Sequence, residues 1–257
     1  MLKKVSKRRN VGWLELASLP LLLAIWHVLA VVVQHRLFPT PVTVFAELAE
    51  LALTGSLISD LIITLVRAMW AFVVAMSVGI LLGLLLGRFR NVDQLFGPWV
   101  VVGLNIPAIV VAITCYIWLG LTEVALILAV VINKTPLVIT ALREGMRNLS
   151  VDFDELARVY RFSRRNYVTR ILAPQLMPYV LTAARTGLSL IWKIVLVFEV
   201  LGSDGGVGFR IGVLFQFFDI AGILAYTVAF IMVVLVFEYG IMRPLERRIL
   251  GWRMART

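Results

Sequence analysis

Residues 68–87 read AMWAFVVAMSVGILLGLLLG, twenty positions without an acidic or basic side chain. A helix rises about 1.5 Å per residue, so a run of this length reaches across the roughly 30 Å hydrocarbon core of a bilayer. Outward from it, Leu16–His35, Gln94–Thr122 and Ile220–Phe237 also lack acidic and basic side chains, histidine counted as neutral. The first two are long enough to span and the third falls slightly short. Over the 257 residues, 61% are hydrophobic and 16% are charged, where soluble domains carry about a quarter, and the mean hydropathy is +0.94. The composition is that of an all-α integral membrane protein.

Six spans are predicted, at about 13–34, 64–87, within 94–119, 122–142, 179–200 and 221–241. The net charge of +10 would suit a nucleic-acid binder, but that class gathers Lys and Arg with aromatics on one face. Here they lie between apolar runs, and no nucleic acid is expected. The positive-inside rule accounts for them better. With the N-terminus inside, nineteen of the 25 Lys and Arg fall in cytoplasmic segments, and only Arg36 and Arg210 fall outside. Arg67, Lys134, Arg185 and Lys193 lie within or near spans. The predicted topology is N-in/C-in.

The chain then divides into a basic tail (1–12), a first transmembrane helix (13–34), an outer-face segment (35–63), a core of five further spans (64–242) and a second basic tail (243–257). The first tail and span resemble a signal peptide, but Leu16–His35 is long for one and no small-residue cleavage site follows, so the helix is expected to be retained. After Pro39-Thr40-Pro41, residues 42–53 predict a short helix along the outer surface, with Glu47 and Glu50 on one face. Gly202–Gly212 holds five glycines in eleven residues and marks a turn or broken helix. Cys115 stands alone and His27 and His35 form no convincing cluster, so neither an internal disulfide nor a metal site is implied. No internal repeat is evident.

The longest polar interruption is Arg143–Arg170. Asp152 and Glu155 have capping-box spacing, and acidic groups suit a helix N-terminus, which predicts a short helix over 153–160. Ser163 is placed to cap a second short helix, ended or kinked at Pro174. The stretch Glu155-Leu156-Ala157-Arg158-Val159-Tyr160-Arg161-Phe162-Ser163-Arg164, continuing to Ile171-Leu172-Ala173-Pro174, resembles the EAA loop of permease subunits of binding-protein-dependent ABC importers. It departs from that pattern at Leu156, at Arg161 where the family has glycine, and at Ala173. The glycine permits a positive φ that arginine adopts only at a cost, so either the turn differs or Arg161 makes a contact glycine lacks. Further segments resemble the nitrate/taurine/aliphatic-sulfonate class: Leu37-Phe38-Pro39-Thr40-Pro41, Thr64-Leu65-Arg67, Asn105-Ile106-Pro107, Ile117-Trp118-Leu119-Gly120, then Trp192, Glu199 and Gly206-Val207-Gly208.

The resemblance implies a type I ABC importer permease fold in the bacterial inner membrane. It implies two permeases around a path (a second copy of this chain is the expected partner), two ATPase subunits beneath and a soluble substrate-binding protein above. The 143–178 loop then supplies a coupling helix, and Glu155, Leu156, Ala157, Arg161 and Ser163 are its candidate ATPase contacts. No phosphate-binding Gly-x-x-x-x-Gly-Lys motif is present and no lysine follows a glycine, so ATP and magnesium are expected on the partner ATPase and the chain is not expected to be an enzyme. It is expected to hold no cofactor of its own.

Charges inside spans are the other informative feature. Lys134, in Asn133-Lys134-Thr135-Pro136, and Lys193 and Glu199 are candidates for the translocation path. A charge at the bilayer centre costs at least ~2.5–3.5 kcal/mol, so each must face protein or water. Either a lysine helps an anion through, or one lysine pairs with Glu199 or snorkels to an interface. Pro136 can free a carbonyl to line a cavity. Arg67 and Arg185 read as structural, near the cytoplasmic or interfacial parts of their spans. Gly79, Gly83 and Gly87 follow small-xxx-small spacing and predict close helix packing, within the chain or at a dimer seam. A membrane-embedded enzyme and a single-chain secondary transporter are the competing classes; the first lacks a catalytic cluster and the second a repeat. The lysines tilt the expected solute toward a small organic or inorganic anion, such as a sulfonate, taurine, nitrate or an aromatic acid.

Overall fold

Three long helices make the centre of the molecule, and a row of glycines sets how closely two of them meet. The computed structural model describes residues 12–254. In chain order the helices are α1 (Gly12–Val33), α2 (Pro41–Thr54), α3 (Ser56–Arg88), α4 (Arg90–Asn105), α5 (Ala108–Leu119), α6 (Glu123–Arg147) and α7 (Val151–Val159). They continue with α8 (Arg164–Tyr167), α9 (Ala173–Gly202), α10 (Val207–Gln216), α11 (Ile220–Phe237) and α12 (Arg243–Met254). No strand occurs among the described residues.

Gly79, Gly83 and Gly87 on α3 face Val138, Leu142 and Met146 on α6, in parallel register. A Cβ on Gly83 would lie 2.7 Å from Leu142 Cβ and 2.9 Å from the Ile139 carbonyl oxygen, so the backbones touch because no side chain intervenes. The small-residue stripe is thus an internal seam. Gly83→Val forces these helices apart. Overpacking of this kind costs about 1–3 kcal/mol, and a lower unfolding midpoint in detergent, relative to Ser77→Val on an exposed position of the same helix, checks it. On the other side, Gly145 of α6 meets the Tyr179 ring of α9, where a Cβ would approach Cγ to 2.8 Å. The core fills around these contacts with Leu126, Val130, Val138, Leu142, Ile191, Val195, Phe198 and Tyr226.

Among the described residues, four helical stretches are long and apolar enough to cross a membrane: Ser56–Arg88, Glu123–Arg147, Arg164–Gly202 and Ile220–Ile249. The expected third span is not one rod. α4 and α5 meet at 97°, making one broken span or a re-entrant pair. Pro107 is the cause, since the residue before a proline is driven out of the helical region, and Ile106 is extended at φ −70°, ψ 125°. The expected first span coincides with α1, which contributes a shorter apolar stretch, Pro20–Val33.

Of the two outcomes expected at Pro174, an end or a kink, the helix does not end there. Ser163 caps Asn166 N at 3.3 Å, but the helix it starts runs on through a π-helical turn, Val168–Leu172, into α9. Proline lacks an amide proton and its ring clashes with the carbonyl four residues back, so a wider turn absorbs it. The same device recurs at Glu238–Met242, again ending two residues before a proline, Pro244. Pro136 leaves α6 unbroken. The surface helix predicted at 42–53 is α2, capped by Thr40 Oγ1 accepting from Thr43 N at 3.2 Å, with Pro41 in its first turn.

Candidate functional site

Two ends of this bundle carry the polar chemistry. At one end stands α7. Its N-cap is Ser150, with Asp152 already inside the helix, so the expected capping box does not form. The start is held instead by Gln175 Oε1, which accepts from Ser150 N at 3.1 Å. The end is a Schellman turn: Phe162 N donates to Ala157 O at 2.9 Å and Arg161 N to Arg158 O at 3.1 Å. Arg161 takes φ +48°, the left-handed position where the family pattern has glycine, so the turn is kept and the arginine bears its strain. Among the predicted loop residues, Ala157 is buried while Glu155, Leu156, Arg161 and Ser163 are exposed. Phe153, Leu156, Val159 and Tyr160 leave an apolar stripe open, at helical spacing and with exposures of 45–77%. Nearby, Asp93 receives Arg143 (Nε–Oδ1 2.6 Å) and Arg147, pinning α4 to the end of α6.

Arg161→Gly tests what the strained residue does. Relief of left-handed strain stabilises by about 1–2 kcal/mol. If the side chain also serves a partner, transport falls although the protein melts later, and paired thermal and uptake measurements separate the two effects.

At the opposite end lies a buried charge network centred on Arg67 and Glu199, which are 4% and 0% exposed. Arg67 Nη1 donates to Glu199 Oε1 at 2.9 Å, to Ser203 Oγ at 2.8 Å and to Gly205 O at 2.5 Å. Its Nε donates to Glu123 Oε2 at 2.7 Å, and Nη2 reaches Glu123 Oε1 and Asp204. Glu199 also accepts from Thr64 Oγ1 and from Gly208 N at 2.9 Å, and Val207 N donates to Thr64 Oγ1 at 2.8 Å. The glycine turn exists for this approach. Gly206 has φ +97°, and a Cβ there would run into the Glu199 carboxylate; one on Gly208 would run into Leu196 O. Beside it, Asp60 Oδ2 accepts from Arg210 Nε at 3.2 Å and from Tyr226 Oη at 2.8 Å, joining α3, α10 and α11.

Glu199 therefore pairs with Arg67 and not with a lysine, which corrects the expected ion pair. Arg67 sits twenty-one residues before the Arg88 end of α3, far from the 143–170 loop. Sequence reading missed Glu123, Asp204 and Asp60 as partners. The available signal was Thr64 and Arg67 on one face of α3, two polar groups aimed together from a spanning helix. Arg185 is structural as expected, bound to Glu238 at 2.6 Å and Glu246 at 3.1 Å.

Lys134 and Lys193 are not brought together with Glu199. Lys134 is 7% exposed and has no ion-pair or hydrogen-bond partner among the described residues. Lys193 lies on the open face of α9, in line with exposed Thr182, Thr186 and Ser189. A polar row on a membrane-spanning helix cannot sit against lipid without a cost, so this face suits water or protein.

The model of the binding-protein-dependent transport system inner membrane component family matches residues 76–251. The chain belongs to this family. The permease is 29% identical over 254 residues to a protein of Bacillus subtilis (strain 168) named as the aliphatic sulfonates transport permease SsuC, covering 98% of this chain and 92% of that one. It is 26% identical over 204 residues to the nitrate import permease NrtB of Synechococcus elongatus, covering 75% and 73%. Its fold matches a chain from the crystal structure of an amino acid ABC transporter, with TM-score 0.59, 19% identity, and coverage of 78% of this chain and 97% of that one. The permease is thus an inner-membrane transport component with the fold of ABC importer permeases, and its EAA-like loop falls inside the matched region.

Proposed function

We propose that the chain forms half of a translocation path for a small anion, paired with a second copy of itself, and is driven by two separate ATPase subunits through α7. The family membership and the relatives named for sulfonate and nitrate transport support the reading. So does the open apolar stripe of Phe153, Leu156, Val159 and Tyr160, which a partner cleft would cover. The reading is N-in/C-in, with the 143–178 loop on the cytoplasmic side and a soluble binding protein delivering solute at the Arg67 end. Glu155, Leu156, Arg161 and Ser163 meet the ATPase, with Ala157 holding the helix to the bundle. ATP and magnesium are bound by the ATPase, not by this chain. The polar row of α9 with Lys193 faces the path, and Lys134 stands behind it on α6.

The observation that carries this is α7 itself, a helix built by capping and a strained turn yet leaving its apolar face unburied. The test is to co-express the chain with its ATPase and purify through a tag on this chain alone. Recovery of both subunits in equal amounts, falling at least tenfold with Glu155→Arg while insertion is unchanged, is the expected result. Each tenfold corresponds to about 1.4 kcal/mol of binding. Undiminished recovery and uptake by that variant would remove the coupling role.

A further inference from the structure

We infer that the protein holds an anionic phospholipid between the end of α3 and the α7–α8 turn. A cavity of about 480 Å³ there is lined by three arginines available to a headgroup, Arg88, Arg158 and Arg164, by Tyr167, and by Arg161, which the proposed function gives to the ATPase. Among the residues whose side chains are described, none forms an ion pair with Arg88, Arg158, Arg161 or Arg164. A second cavity of about 310 Å³ opens from the same place, since Arg88 and Tyr167 line both. Its other walls are apolar, with Leu81, Leu84 and Leu85 of α3 and Leu172 at the start of the long helix. Leu81 and Leu85 are 61% and 39% exposed on a helix long and apolar enough to cross a membrane, so the groove is open on the outside of this chain.

The two cavities have complementary chemistry in the order a phospholipid presents it. A phosphodiester headgroup satisfies a cluster of guanidinium forks, and an acyl chain follows the leucine groove up the helix. Soluble phosphate would use only the first cavity and leave the adjoining groove unexplained. The position has a consequence for coupling. A lipid there ties the end of α3 to the turn that carries Arg161, stiffening the joint between α7 and the spans. The inference rests on the loop lying at the membrane surface, as the proposed function places it.

The experiment is native mass spectrometry of the full chain with its ATPase, in micelles containing phosphatidylglycerol and phosphatidylcholine of the same acyl composition. Each basic residue near an anionic lipid contributes about fivefold in binding, so the preference for phosphatidylglycerol is expected to be on the order of a hundredfold and to collapse in Arg88→Gln/Arg158→Gln/Arg164→Gln. The triple lysine variant keeps most of it, which separates charge from misfolding. Leu81→Trp, filling the groove, is expected to weaken lipid retention about tenfold. ATPase recovery stays normal in both, so a failure here is distinct from a failure of the coupling assignment. Undiminished retention by the glutamine variant overturns the site. Retention that is unaffected by Leu81→Trp, with inorganic phosphate alone filling the cavity, makes soluble phosphate the ligand and overturns the lipid. Loss of the ATPase from the glutamine variant with unchanged lipid binding gives these arginines to the ATPase instead.

Discussion

Arg67→Ala is expected to destabilise the folded protein by about 3–5 kcal/mol, because it strands a carboxylate in the core with its charge uncompensated. Glu199 is fully buried and, among the described residues, has one cationic partner, Arg67. Its remaining donors, Thr64 and the Gly208 amide, solvate the charge without neutralising it. Arg67→Lys should recover little. A lysine offers a point charge, whereas the guanidinium fork reaches Glu199, Glu123, Ser203 and Gly205 at once. Glu123→Ala, by contrast, removes a partner whose side chain is 55% exposed, and should cost less than ~1 kcal/mol. The ordering is read from unfolding midpoints in detergent.

The double variant Arg67→Met/Glu199→Leu sharpens the test. Removing both charges ends the uncompensated state, so its loss should be well below the sum of the two single losses. It will not fall to zero, since the Gly208 amide and the Thr64 hydroxyl then lose their acceptor, and an orphaned buried donor costs about 1–3 kcal/mol. Additive losses would mean that Arg67 and Glu199 act independently. The network joins α3, α6, α9 and the turn before α10, so a coupled result also identifies it as the joint that keeps this end of the bundle together.

How much of this was legible in the sequence follows from which forces act locally. The spans could be read because a bilayer demands an unbroken apolar run, and α2 and the Ser163 cap because their signals lie within four residues; α7 is read from a capping box that does not form, its start being held by the distant Gln175. The glycine stripe announced close packing but not its partner, since Val138, Leu142 and Met146 lie far along the chain. Pro107 and Pro174 show the limit. Both are helix breakers by local rules, yet one bends the chain by 97° while the other is absorbed by a π-helical turn. The candidate site was half visible. Glu199 and the glycines after it stood out, but pairing Glu199 with Arg67 rather than a lysine depends on α3 crossing α9.

The two lysines should part company in a transport assay. Lys134 is buried with no partner among the described residues, so replacing it with methionine relieves a desolvation penalty and is expected to stabilise the protein by about 1–3 kcal/mol. If its charge draws an anion, the same variant loses uptake, and a more stable but slower permease is the signature of a residue kept for function. Lys193 lies open on α9, so Lys193→Met should leave stability within ~0.5 kcal/mol. In a watery path, one charge acting on an anion a few ångströms away is worth about 1 kcal/mol, close to fivefold in rate. Lys193→Glu reverses the sign and doubles the effect, to roughly twenty-fivefold for an anionic solute and the opposite direction for a cationic one. Uptake of a labelled anion into vesicles holding the full assembly decides the matter. An unchanged rate in Lys193→Glu would place this face of α9 against protein rather than the path, and an unchanged rate in Lys134→Met would leave its buried charge without a transport role.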